Sequence, residues 1–100
     1  MKTRVIPTSS AEAIPAADEI LKLDGLVAFP TDTVYGLAAR FDSSTAIDRL
    51  FKAKGRDFNK AIAILIGDLA QVHLVAAGFP AAANLLADRF WPGALTIVVT

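Results

Sequence analysis

The period of the hydrophobic pattern changes several times along the chain, and each change predicts an element. Thr3-Arg4-Val5-Ile6 reads as a short edge strand that Pro7 ends, because proline has no N–H for a ladder. Ser9 followed by Glu12 has capping-box spacing. Ile14, Ala17, Ile20 and Leu21 then share one helical face, with Pro15 placed in the first turn. Asp24-Gly25 predicts the stop, with glycine as the left-handed cap. Leu26-Val27-Ala28-Phe29 is a short apolar run of buried-strand type that halts at Pro30.

A second helix is predicted to start at Asp42-Ser43-Ser44, carry Ala46, Ile47, Leu50, Phe51 and Ala53 as its stripe, and stop at Gly55. Ala61-Ile62-Ala63-Ile64-Leu65-Ile66 is uninterrupted and reads as a central strand covered on both faces. Asp68 is placed to cap a short helix through His73, and Pro80 to open a further helix with Ala83, Leu85, Leu86 and Phe90 inward. Phe90-Trp91-Pro92-Gly93 breaks that helix, and the β-branched run Leu95-Thr96-Ile97-Val98-Val99-Thr100 reads as a last strand. The order β, α, β, α, β, α, α, β predicts an α/β layered domain with a mixed or largely parallel sheet. The β run reaches the last residue given, so residues 1–100 are expected to be a piece of one domain cut within it.

Composition narrows the functional classes. The chain is 54% hydrophobic and 20% charged, which suits a globular core. It has no cysteine, which removes disulfides and thiolate metal sites and favours a cytoplasmic setting. No apolar run approaches the ~20 residues of a membrane helix, and no apolar h-region follows Lys2 and Arg4. The net charge is zero, so nothing global argues for nucleic acid. Locally the balance differs: Arg49, Lys52, Lys54, Arg56 and Lys60 are five of the ten cations.

The familiar phosphate loops G-x-x-x-x-G-K-[ST] and G-x-G-x-x-G are missing, as is the nucleophile elbow G-x-S-x-G. His73 is the sole histidine, without the partners a zinc site needs, and it reads as structural. Two constellations remain. Thr31, Asp32, Thr33 and Tyr35 follow the 26–29 strand and suit hydrogen bonding to a small polar molecule. For Thr31 and Asp32, a local turn stabilised by their side chains is an equal reading. Lys54, Arg56 and Lys60 flank a helix end and suit a polyanion. For Arg49 and Lys52 a solvated helix face is the simpler reading.

Phe29-Pro30-Thr31-Asp32-Thr33-Val34-Tyr35-Gly36-Leu37 resembles the signature opening of the YrdC-like domain family, the threonylcarbamoyl-AMP synthases. Lys52-Ala53-Lys54-Gly55-Arg56 resembles its K-x-R segment, and Phe90-Trp91-Pro92-Gly93-Ala94-Leu95-Thr96 its W-P-G-P-L-T segment, in the same order. The resemblance covers about residues 14–100. It implies an open twisted mixed sheet flanked by helices. It also implies a nucleotidyltransferase that joins L-threonine, bicarbonate and ATP into threonylcarbamoyl-AMP with loss of pyrophosphate. The product would serve downstream proteins that modify tRNA adenosine 37.

On this resemblance Thr33 and Tyr35, with Thr31, would contact threonine. Lys54 and Arg56 would be the catalytic cations, and with Lys60 they would hold the ATP phosphates. Mg2+ would bridge phosphate oxygens, with no protein metal ligand identified. Four departures stand out. Asp57 replaces a family proline and puts a negative charge beside Arg56, Lys60-Ala61-Ile62 stands where the family has K-P-L or K-G-L, Ala94 replaces another proline, and the family's S-x-N segment would fall beyond residue 100. On this resemblance residues 1–100 would be the N-terminal portion, roughly half, of a single YrdC-like domain, and alone are expected to be inactive. Two alternatives stay open: a module that binds tRNA or double-stranded RNA without turnover, and a relative in hydrogenase maturation that forms a carbamoyl adenylate.

Overall fold

The computed structural model describes residues 2–55 and 61–100, which fall into two compact units, 1–60 and 61–100. In the first unit, α1 (Ala13–Lys22) is followed by β1 (Val27–Phe29), β2 (Gly36–Ala38) and α2 (Ser44–Lys54). β1 and β2 pair antiparallel in the register Val27↔Ala38, Ala28↔Leu37, Phe29↔Gly36. The polar segment after the apolar run is therefore the connection of a β-hairpin, and α1 lies against β1.

The Phe29↔Gly36 pair explains the glycine. A Cβ at Gly36 would stand 2.8 Å from Phe29 Cζ, so the ring fills the space that a side chain would take. The close approach this glycine permits is to the chain's own aromatic ring.

The end of α1 differs from its sequence reading. Asp24, not Gly25, adopts the left-handed conformation, with φ of 62°. The Gly25 N–H donates to Ile20 O at 2.9 Å and the Asp24 N–H to Leu21 O at 3.1 Å, the paired bonds of a Schellman ending. Gly25 is needed for room, since a Cβ there would sit 2.6 Å from Ile20 Cγ2. At the other end Glu12 is the N-cap, without a side-chain cap bond, and Ser9 plays no capping part. Instead the Glu12 N–H donates to Ser10 Oγ at 3.2 Å. Pro15 does fall in the first turn, where its missing N–H costs no helical bond.

α2 follows its sequence signals closely. The Ala46 N–H donates to Ser43 Oγ at 3.2 Å, and Gly55 ends the helix at φ of 62°. Ala46, Leu50 and Phe51 are buried on one face.

In the second unit Asp68 accepts from the Ala70 N–H at 3.1 Å, but the turns through Leu74 are 3₁₀ rather than α. α3 spans Ala81–Phe90, with Pro80 one residue ahead as its N-cap. Val72, Ala83 and Ala87 are buried. Trp91 stacks on Phe79 with ring centroids 6.1 Å apart and donates its indole N–H to Leu95 O at 2.8 Å. The Trp91–Pro92 peptide is cis.

Three expected strands are absent among the described residues. Segments 3–6, 61–66 and 95–100 have no ladder, and Ile64 and Leu65 are 50% and 75% exposed rather than covered. A strand exists only when a neighbour completes its backbone hydrogen bonds, and β1 and β2 alone pair here. The last segment still shows the period of two: Leu95, Ile97 and Val99 are half-buried while Thr96, Val98 and Thr100 are exposed. The fold is mixed α/β, as expected, with one small antiparallel sheet and helices. Among the described residues no helix is long and apolar enough to cross a membrane.

Two substitutions test these local readings with opposite signs. Gly36→Ala should cost about 1–3 kcal/mol, because the Phe29 ring must leave its place. Asp24→Gly should stabilise by up to ~1 kcal/mol, because it relieves the left-handed penalty. Denaturant midpoints of the two variants measure both effects.

Candidate functional site

The hairpin connection runs from Pro30 to Tyr35, and every residue in it is exposed. Its shape is set by one side chain. The Thr31 hydroxyl donates to Val34 O and accepts from the Thr33 N–H at 3.3 Å. Thr31 and Thr33 also bring their hydroxyl oxygens to 3.4 Å. Thr31 therefore builds the turn by a side-chain-to-backbone bridge. Its one proton is committed to Val34, so toward an incoming ligand it can act only as an acceptor. With that proton committed, Thr33 is the donor of the hydroxyl contact, so its exposed oxygen offers lone pairs outward and can donate to a ligand only by releasing Thr31. Tyr35, two residues further along the loop, is 76% exposed.

Lys54 is the last residue of α2 and is exposed, making no ion pair among the described residues. Together with Lys52 it offsets the negative end of the helix macrodipole. That is the end at which an anion could not settle without added cations. Arg56 and Lys60 lie outside the described residues, as does Asp57. The structure thus shows the first cation of the predicted turn, and it shows the three hairpin residues together on one loop.

A different cluster was not singled out in the sequence. Arg40, two residues after β2, points its guanidinium at Asp42, with Nε–Oδ1 2.6 Å and Nη2–Oδ2 2.9 Å. Its third nitrogen, Nη1, reaches Lys22 O at 3.4 Å. Arg49, read above as a solvated face, donates Nη1 to Asp24 O at 2.9 Å. Hydrogen bonds from Arg40 hold the Asp42 carboxyl below its ordinary range, and partial desolvation opposes them. The same bonds raise Arg40 further.

The second unit holds a shallow concavity of about 320 Å³ beside Val72, His73, Phe79 and Asn84. It contains none of the predicted site residues and no cation to meet a phosphate. His73 is exposed, with Nδ1 against Ala70 O, in keeping with a structural role. Among the described residues no group of three or more His, Cys, Asp or Glu could hold a metal ion.

The family model Sua5/YciO/YrdC, described as "Telomere recombination", matches residues 19–100. A threonylcarbamoyl-AMP synthase of Pyrococcus abyssi is 47% identical over 74 residues, covering 74% of this chain and 22% of that protein. The threonylcarbamoyl-AMP synthase of Bacillus subtilis is 38% identical over 86 residues, 86% of this chain and 25% of its own. A crystal structure of P. abyssi Sua5 complexed with L-threonine superposes with a TM-score of 0.77 at 42% identity, over 80% of this chain and 24% of that one. The chain thus spans about a quarter of the length of these relatives.

The Arg40–Asp42 contact has a defined pH signature. A carboxylate with a depressed folded pKa stabilises the fold above its unfolded pKa, and that contribution is lost as the pH falls through the folded value. An NMR titration should therefore find Asp42 ionising below the ordinary aspartate range. In Arg40→Ala its pKa should rise toward that range.

Proposed function

Because the chain belongs to the Sua5/YciO/YrdC family, we propose that the protein carrying it makes L-threonylcarbamoyl-AMP from L-threonine, bicarbonate and ATP. The observation that carries this reading is the threonine-rich hairpin turn, in a chain 42% identical to a Sua5 solved with L-threonine. The reaction belongs to the whole protein, of which this chain contributes one wall of the site.

The threonine amine condenses with bicarbonate, losing water, to give a carbamate. A carbamate oxygen then attacks the α-phosphorus of ATP in line; the new O–P bond forms as the bond to the β-phosphate bridge breaks, and pyrophosphate leaves. Such a displacement needs positioning and charge neutralisation more than a protein nucleophile. The hairpin suits the first need. Thr33 Oγ1 can accept from the threonine ammonium and can donate to its carboxylate on releasing Thr31, Thr31 can only accept, and Tyr35 closes one side of the amino acid. The cationic segment suits the second. Lys54 overrides the negative end of α2, and Arg56 and Lys60 add a fork and a point charge for the phosphates.

Magnesium would be held by phosphate oxygens of ATP and would neutralise part of their charge. The adenylate would feed threonylcarbamoyl modification of tRNA adenosine 37.

Pyrophosphate release in the protein carrying this chain should require both threonine and bicarbonate. Thr33→Ala should raise the KM for threonine about tenfold, as expected for one lost hydrogen bond of ~1.4 kcal/mol, and leave the KM for ATP unchanged. Arg56→Ala should do the reverse, by ten- to a hundredfold for a charge-assisted bond of about 1.5–3 kcal/mol. Release that persists without threonine would contradict the reading.

A further inference from the structure

The hairpin between β1 and β2 is short for the task assigned to its loop. Each strand has three residues, and a two-stranded ribbon is marginal without support. Its base lies where two arginines converge. Chain enters β1 from Lys22–Gly25 at the end of α1 and leaves β2 through Arg40 and Asp42 into the Ser43 cap of α2. Arg40 reaches back to Lys22 O, and Arg49 from the middle of α2 reaches Asp24 O. Both carbonyls belong to the few residues just ahead of β1, so the segment after the hairpin grips the segment before it. The two cations also complement the negative end of α1.

Asp42 makes the grip directional. It takes two nitrogens of the Arg40 fork, which fixes the plane of the guanidinium and aims the third nitrogen at Lys22 O. An exposed pair of this kind contributes little to stability. Its effect is on angle. The loop begins five residues from Arg40, about 16 Å at ~3.3 Å each, so a tilt of about 4° carries it by ~1 Å. Displacements of that size can cost an enzyme on the order of a hundredfold.

We propose that Arg40, aligned by Asp42, is a positioning residue that sets the angle of the 27–38 hairpin and so the placement of Thr33 at the threonine site. The inference rests on the threonine reading of the loop. It adds to that reading the residues that hold the loop in place.

The test uses the whole protein and two independent readouts. The first is the distance distribution between spin labels at Asp32→Cys and Lys54→Cys, measured by pulsed electron resonance. These 100 residues contain no cysteine, and any cysteine elsewhere in the whole protein is first replaced by serine. Arg40→Ala and Asp42→Ala should each broaden or shift the distribution, and the double variant should be no worse than either, as for one coupled pair. Arg40→Lys should recover it only in part, because lysine has no fork. The swap of Arg40→Asp with Asp42→Arg should recover it less than Arg40→Lys, because the third nitrogen no longer starts from position 40. The second readout is kinetic: Arg40→Ala should raise the KM for threonine about tenfold with the KM for ATP changed less than twofold.

A distribution unchanged in both alanine variants overturns the inference, whatever the enzyme does. An altered distribution with an unchanged KM for threonine also overturns it, since the angle then does not matter to the site. A wild-type protein that forms no adenylate contradicts the threonine reading instead, and the distance measurement alone then decides whether the clamp orients the hairpin.

Discussion

Everything assigned to the hairpin loop depends on how α1 ends. The helix stops in two backbone bonds, Gly25 N–H to Ile20 O and Asp24 N–H to Leu21 O, which turn the chain sharply into β1. That turn leaves the carbonyls of Lys22 and Asp24 free to accept from outside the helix, and Arg40 and Arg49 supply the donors. The ending thus does two jobs at once. It satisfies helix carbonyls that would otherwise lack partners, and it provides the fixed point from which a three-residue ladder can project a loop.

The loop has its own internal economy. Thr31 spends its proton on Val34 O and its lone pairs on the Thr33 N–H, so the turn is shaped before any ligand arrives. Preshaping of this kind lowers the ordering cost of binding. It also divides the labour between two neighbouring residues of the same type: Thr31 holds the turn and Thr33 keeps hydroxyl lone pairs to offer. Phe29 over Gly36 seals the base of the loop from the sheet side, which makes the aromatic and the glycine of the signature stretch a single packing unit.

How much of this could be read from residues alone depended on whether the signal was local. α2 was legible to within a residue, because Ser43 and Gly55 act on their immediate neighbours. So was the place of Pro15 in the first turn of α1. The 61–66 and 95–100 runs were misread as strands because β propensity speaks only of fit to a sheet, and the partner strand is not written in the run itself. Asp24 was missed as the left-handed residue because Gly25 offered the more obvious cap, while Gly25 was needed for the space beside Ile20. The threonines of the loop stood out by resemblance, but Arg40 and Asp42 did not. Two charges at a spacing of two follow no helix or strand period, and their third partner, Lys22 O, lies 18 residues away.

The central claim is that residues 31–35 form the threonine wall of the site, and amide chemical shifts test it most directly. Titrating L-threonine into the protein should shift the amides of Thr31–Tyr35 in a saturable way, with the resonances lining the His73–Asn84 concavity unmoved. Saturable shifts confined to residues 69–84, with the hairpin loop unchanged, would contradict the account.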